Sequence, residues 1–136
     1  MSNIEQTLSI IKPAAVERNL DNEIKQMFIK NGFYILKEKK IQIEKSEAEK
    51  FYKVHETKPF YNDLCTYLSS GPIIAMILEK VNAIVDNRKL MGATNPEEAE
   101  EGTIRKKYGF SIDKNSVHGS DCVENAKIEI DFFFKE

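Results

Sequence analysis

Residues 73–78 read Ile-Ile-Ala-Met-Ile-Leu, the longest uninterrupted apolar run in the chain. Six residues extend about 20 Å as a strand and about 9 Å as a helix, so the run is far too short to cross a bilayer. With Ser70-Gly71-Pro72 breaking the chain just ahead of it, the run reads as a buried strand. A strand with no polar residues needs cover, so the flanking segments decide what kind of sheet it joins.

Those segments alternate between strand and helix patterns. Glu5–Ile11 alternates polar and apolar residues and predicts a strand, closed by Lys12-Pro13 because proline donates nothing to a ladder. Ile24, Met27 and Phe28 fall at helical spacing between Asp21, read as an N-cap, and the stop Asn31-Gly32. Phe33–Ile43 predicts a long strand whose charged middle, Lys37–Lys40, is solvated on at least one side. Ser46-x-x-Glu49 has the form of a capping box and predicts a helix start, and a second helical piece covers Tyr61–Leu68. Asn82–Met91 reads as helix, Gly92–Pro96 as loop and Thr103–Tyr108 as a short helix. Lys114–His118 is the best candidate for a fourth strand. Ser120 is read as the cap of a last helix, Asp121–Asp131.

The order β-α-β-α-α-β-α with a terminal helix has too few strands for a doubly wound sheet. It fits an α+β, ferredoxin-like sandwich with a split βαβ unit, its antiparallel sheet covered by helices. At 136 residues, the chain is read as one domain spanning 1–136, with no repeat and no linker. The N-terminus has neither a basic region nor an apolar stretch, and Cys65 and Cys122 stand 57 residues apart with no partner pattern. We therefore expect a cytoplasmic protein with no membrane segment, no disulfide framework and no cysteine-based zinc site. Twenty basic against 22 acidic side chains, a formal charge of −2, argues against a dedicated duplex-DNA binder, and no nucleic acid is expected to be required.

The chain has 17 lysines but only three arginines, Arg18, Arg88 and Arg105. An arginine that persists in so lysine-rich a sequence can mark a place where a planar, two-pronged contact is needed. Arg88 and Arg105 flank the Gly92–Pro96 loop, and Lys12 projects from a strand end. Together they could clamp phosphates, although each alone reads as readily as a solvated surface charge. Thr94 offers the loop a hydroxyl, or is a turn residue. Phe60 could stack on a base, or be an ordinary core aromatic. His118 sits among small and polar residues just ahead of a helix, where orphan N–H groups favour phosphate oxygens. Imidazole titrates near neutrality and is nucleophilic when a ring nitrogen is free, while a loop histidine bonded to backbone is the plainer reading. Glu129 could orient His118, yet the eight residues of helix from Asp121 to Glu129 span roughly 12 Å. Neither a P-loop nor a G-x-G-x-x-G run is present.

Seven ordered segments resemble one family. They are Thr7–Pro13, Phe51-Tyr52-x-x-His55, Lys58-Pro59-Phe60-Tyr61, Ser70-Gly71-Pro72, Arg88-x-Leu90–Pro96, Gly102-Thr103-Ile104-Arg105 and Asn115-Ser116-Val117-His118-Gly119-Ser120-Asp121. In these segments the chain is similar to nucleoside diphosphate kinases over nearly its whole length. The resemblance implies that His118 accepts phosphate, with Tyr52, Ser120 and Glu129 ordering the site around it. It implies that Lys12 and Asn115 contact the sugar, that Arg88, Thr94 and Arg105 hold phosphates, and that Phe60 stacks on the base. It implies nucleoside tri- and diphosphates as partners, with Mg²⁺ held by nucleotide phosphates and not by a protein cage. A homo-oligomer, tetramer or hexamer, built from dimers is also implied. Ala14, Asn22 and Asp113 depart from the usual pattern at positions with no expected catalytic role. A histidine phosphotransfer relay would lack a use for Arg88, Arg105, Phe60 and Asn115. A non-catalytic ferredoxin-like binding module is the other alternative, and the lack of a basic excess and of aromatic RNP-type runs on a strand speaks against one for RNA.

Overall fold

The computed structural model describes residues 4–109 and 117–134. Four strands, β1 (Ile4–Ile11), β2 (Tyr34–Ile41), β3 (Ile73–Val81) and β4 (Val117–Gly119), form one sheet in the order β2-β3-β1-β4. Every neighbouring pair is antiparallel, and β3 lies between β1 and β2, which splits the βαβ unit as a ferredoxin-like sandwich requires. The helices are α1 (Pro13–Glu17), α2 (Asp21–Lys30), α3 (Lys45–Phe51), α4 (Tyr61–Leu68), α5 (Ala83–Met91), α6 (Ile104–Tyr108) and α7 (Val123–Phe134).

The apolar run of β3 explains the layering. Ile74, Met76 and Leu78 face one core, which holds Ala15, Val16, Ile24, Phe28, Ala83, Met91 and Ile104 from α1, α2, α5 and α6. Ile73 and Ala75 face a second core with Leu8, Ile10, Ala48, Tyr52, Cys65, Leu68 and Phe133, lined by α3, α4 and α7. Successive strand residues alternate faces, so a strand covered on both sides reads as continuous hydrophobicity. The edge strand β2 behaves differently. A bulge between Ile35 and Lys37 shifts its register, so Ile35 packs into the first core and Ile41 against the second, although both are odd-numbered. Its charged middle is exposed, as the sequence predicts.

Several boundaries differ from expectation. Pro13 does more than end β1: it opens the five-residue helix α1, where its missing N–H costs nothing. Asp21 lies in the first turn of α2, and Leu20 is the cap residue with no side-chain cap. The capping box of α3 is made by Glu44 and Glu47, placing Ser46 inside the helix. The fourth strand is Val117–Gly119, its three residues paired only to β1; the Lys114–Ser116 part of the expected strand lies outside the described residues. Ser120 does not cap α7, which begins at Val123; its hydroxyl is used elsewhere.

Candidate active site

His118 lies on β4 directly across from Ile10, whose side chain belongs to the second core, so the imidazole projects on that face. β4 runs back along β1, and α7 packs on β1, so the two segments meet where local helix geometry alone could not bring them together. The His118 Nε2 is 3.0 Å from Glu129 Oε1. Ser120 Oγ donates to the same Glu129 oxygen at 2.9 Å and accepts the Leu8 N–H at 3.1 Å. The Ser120 N–H in turn donates to the Leu8 carbonyl at 3.2 Å. Ser120 is fully buried, and the Glu129 side chain is 18% exposed. A carboxylate accepts only, so this contact fixes the Nε2–H tautomer and leaves the Nδ1 lone pair free.

Aromatic rings wall the imidazole. Phe51, the last residue of α3, stands edge-to-face to His118 at 5.3 Å, and Tyr52 does so at 6.4 Å. Tyr52 is buried, which raises its hydroxyl pKa well above the ordinary value, with smaller contributions from Cys65 and Glu129, and keeps it protonated. Gly119 is required by a close approach of α5: a Cβ there would run into the Asn87 amide and the Met91 thioether.

The cationic residues come from three directions. Lys12 is 5% exposed at the end of β1, in extended backbone and two residues beyond Ile10 on the imidazole face. It is therefore not the solvated lysine that its sequence position also allows. Arg105 on α6 donates from one terminal nitrogen to the Gly92 carbonyl and from the other to the Val117 carbonyl, both at 3.0 Å. It thereby ties the loop after α5 to the strand that carries His118. Burial, and then the charge of nearby Arg88, lower its pKa to about 10, so it remains charged at neutral pH. Arg88 itself is exposed, and no ion pair among the described residues includes either arginine. Gly92 ends α5 with φ +85°, and a Cβ there would strike Thr103. Thr94 follows, exposed, ahead of Asn95, whose side chain caps the 3₁₀ turn Pro96–Glu98. Phe60 is 42% exposed and not a core residue. Lys58 Nζ stands 5.7 Å above its ring. Asn115 lies outside the described residues.

The sequence reading gave no role to two residues here. Phe51 touches the candidate nucleophile. His55 ends a 3₁₀ turn, Lys53–His55, with its ring 6.2 Å from both Tyr52 and Phe60 and its Nδ1 buried without a partner. Burial, then the charge of Lys58, lower the His55 pKa. The motif Phe51-Tyr52-x-x-His55 was the available signal for both residues.

The site thus offers a histidine with one free ring nitrogen, a carboxylate behind it, and cations and hydroxyls around it. That set can take up and pass on a phosphoryl group. Comparison with known proteins agrees. The family model for nucleoside diphosphate kinase matches residues 5–136. The nucleoside diphosphate kinase of Geobacter sp. (strain M21) is 54% identical over 133 residues, 98% of this chain and 97% of its own. That of Campylobacter jejuni (strain RM1221) is 54% identical over 132 residues, 97% of this chain and 96% of its own. The solved structure of the Aquifex aeolicus nucleoside diphosphate kinase superposes with a TM-score of 0.96 at 38% identity, covering 98% of this chain and 96% of that one.

Proposed function

The chain belongs to the nucleoside diphosphate kinase family, and on that premise we propose that it performs this phosphotransfer through the imidazole of His118. The reaction moves the γ-phosphate of a nucleoside triphosphate to a nucleoside diphosphate. The Nδ1 lone pair attacks the γ-phosphorus, the bond to the β–γ bridging oxygen breaks, and the diphosphate leaves with that electron pair. A second diphosphate then takes the phosphoryl group from Nδ1 by the reverse displacement. Splitting the transfer in this way lets one site serve both nucleotides. The single observation that carries the reading is the chain Leu8 N–H, Ser120 Oγ, Glu129 Oε1, His118 Nε2, which leaves Nδ1 as the free nitrogen. The positive charge that attack places on the ring is met by the Glu129 carboxylate 3.0 Å away.

In this reading Arg88, Arg105 and Thr94 hold phosphates, and Lys12 and Asn115 bind the sugar, with Lys12 also near the phosphates. Phe60 stacks on the base and, because every base has a π-face, discriminates little among them. The cationic and hydroxylic character of these donors suits phosphate oxygens rather than a metal ion. Among the described residues no three acidic, histidine or cysteine side chains converge. Magnesium fits as an ion brought in on the nucleotide, where it would neutralise phosphate charge. A homo-oligomer built from dimers is supported by Tyr34 and Leu36, exposed on the edge strand β2. Two free cysteines accord with a cytoplasmic location.

The test is His118→Asn. The variant is expected to fold and bind nucleotide, but to lose turnover and to take no label from γ-labelled ATP. Wild-type protein is expected to carry an acid-labile, base-stable label and to give parallel initial-rate lines. Near-normal turnover of His118→Asn, or a label on Ser120, overturns the proposal.

A further inference from the structure

The contact with Glu129 restrains His118 at one atom only. The χ2 rotation of histidine, about the Cβ–Cγ bond, is a soft torsion. Nε2 lies closer to that axis than Nδ1 does. A hydrogen bond at Nε2 therefore resists the rotation weakly, while the same rotation swings Nδ1 through a wider arc. Something else must hold the attacking nitrogen on line.

Phe51 stands where that restraint is needed. Its ring centroid is 5.3 Å from that of His118, with the two planes at 72°. Phe51 is itself held. Tyr52 lies at 5.1 Å and 70°, Phe132 at 5.6 Å and 56°, and Phe133 at 5.3 Å and 60°. Phe132 and Phe133 belong to α7, the helix that also carries Glu129. The two restraints on the imidazole thus share one support: α7 presents the carboxylate directly and braces the ring through Phe51.

We propose that Phe51 is a positioning residue, whose ring fixes the χ2 angle of His118 and so aims Nδ1 at the γ-phosphorus. The inference rests on His118 being the nucleophile. Phe51 binds no nucleotide in this role, so its loss should slow chemistry and leave affinity alone. A misplacement of about 1 Å can cost roughly a hundredfold in rate. A ring that stays tethered at Nε2 should lose less, about 5- to 30-fold.

The experiment measures single-turnover phosphorylation of the protein by saturating γ-labelled ATP, alongside equilibrium binding of ADP. Phe51→Leu should phosphorylate about 5- to 30-fold more slowly with ADP affinity unchanged within about twofold. Phe51→Tyr, which keeps the ring, should recover most of the rate. Should Phe51→Leu fail to fold, Phe51→Met fills the same space without a ring and should show the same split. The loss in Phe51→Leu combined with Glu129→Gln should differ from the product of the single losses, because both side chains restrain one ring. A wild-type rate in Phe51→Leu, an equal defect in Phe51→Tyr, or strictly multiplicative losses in the double variant overturns the role of Phe51. Any of these with the label still on His118 leaves the phosphohistidine reading standing. A wild-type label that does not map to His118 overturns both.

Discussion

Glu129→Gln replaces a carboxylate by an amide of nearly the same shape, so it isolates charge from packing. In the folded protein Glu129 Oε1 receives two contacts, from His118 Nε2 at 3.0 Å and from Ser120 Oγ at 2.9 Å. The amide oxygen can still accept both. What is lost is the negative charge opposite a ring that, in the proposed mechanism, becomes positive as Nδ1 attacks. Hydrogen bonds to charged groups contribute about 1.5–3 kcal/mol, against about 0.5–1.5 for neutral ones. The carboxylate is mostly shielded from water, so solvent replaces little of the loss. The difference, about 1–1.5 kcal/mol appearing only in the transition state, means roughly 5- to 13-fold slower phosphorylation. Rapid-quench measurement of label transfer from γ-labelled ATP reads this directly, and KM should stay within about twofold of wild type. Ser120→Ala supplies the contrast. It leaves the Leu8 N–H without its acceptor in a fully buried place, at a cost of about 1–3 kcal/mol in stability. Thermal unfolding should therefore show Ser120→Ala well below Glu129→Gln. A Glu129→Gln protein that phosphorylates within twofold of wild type refutes the charge argument.

Arg105→Lys should lower both the melting temperature and turnover, the latter by roughly tenfold or more, since one ammonium cannot span the Gly92 and Val117 carbonyls. Arg88→Lys, at an exposed position, should lower turnover alone, and two variants with matching melting curves would refute the distinction. Burial and Lys58 hold the His55 pKa below its ordinary 6.5, so the folded chain binds that proton more weakly than the unfolded chain. Stability should fall as pH drops below about 6.5 and level off beneath the folded value, and melts from pH 8 to 5 should show His55→Asn losing that part of the slope. An unchanged slope in His55→Asn would count against the assignment.

What was legible in the sequence follows from what is local. The run Ile73–Leu78 announces β3 because both faces of the sheet are covered, and Ile24, Met27 and Phe28 announce α2 because one helical face meets the core. β4 was nearly illegible because three residues cannot display a period, and their strand character comes only from pairing with β1. The start of α3 was misplaced because Glu44-x-x-Glu47 and Ser46-x-x-Glu49 are competing boxes two residues apart, and the backbone selects the acidic one. The short distance between His118 and Glu129 was out of reach for a different reason. It is set by α7 lying on β1, a contact between elements more than a hundred residues apart in sequence. Family resemblance supplied the pairing of roles that periodicity could not, and it missed Phe51 because an aromatic beside a tyrosine reads as core.

A strand of three residues is a weak anchor for the proposed nucleophile, and the groups around β4 make up the difference. Its ladder partners are only Ser9, Ile10 and Ile11 of β1. Beyond them, Arg105 grips the Val117 carbonyl, Ser120 closes two hydrogen bonds with Leu8, and the Asn87 and Met91 side chains press against Gly119 from the opposite face. Asn87 is fully buried with neither amide atom paired, and such a group costs about 1–3 kcal/mol. That cost falls on α5, the helix whose next residue is Arg88. The strand with His118 and the helix with Arg88 are thus pressed together at a point where glycine alone fits. On the proposed roles, the spacing between nucleophile and phosphate clamp is therefore fixed by core packing rather than by a loop. Substitutions at Gly119 or Asn87 should disturb stability and turnover together, whereas substitutions at Phe60, exposed just ahead of α4 and outside both cores, should leave the fold intact and, on its proposed stacking role, change nucleotide affinity.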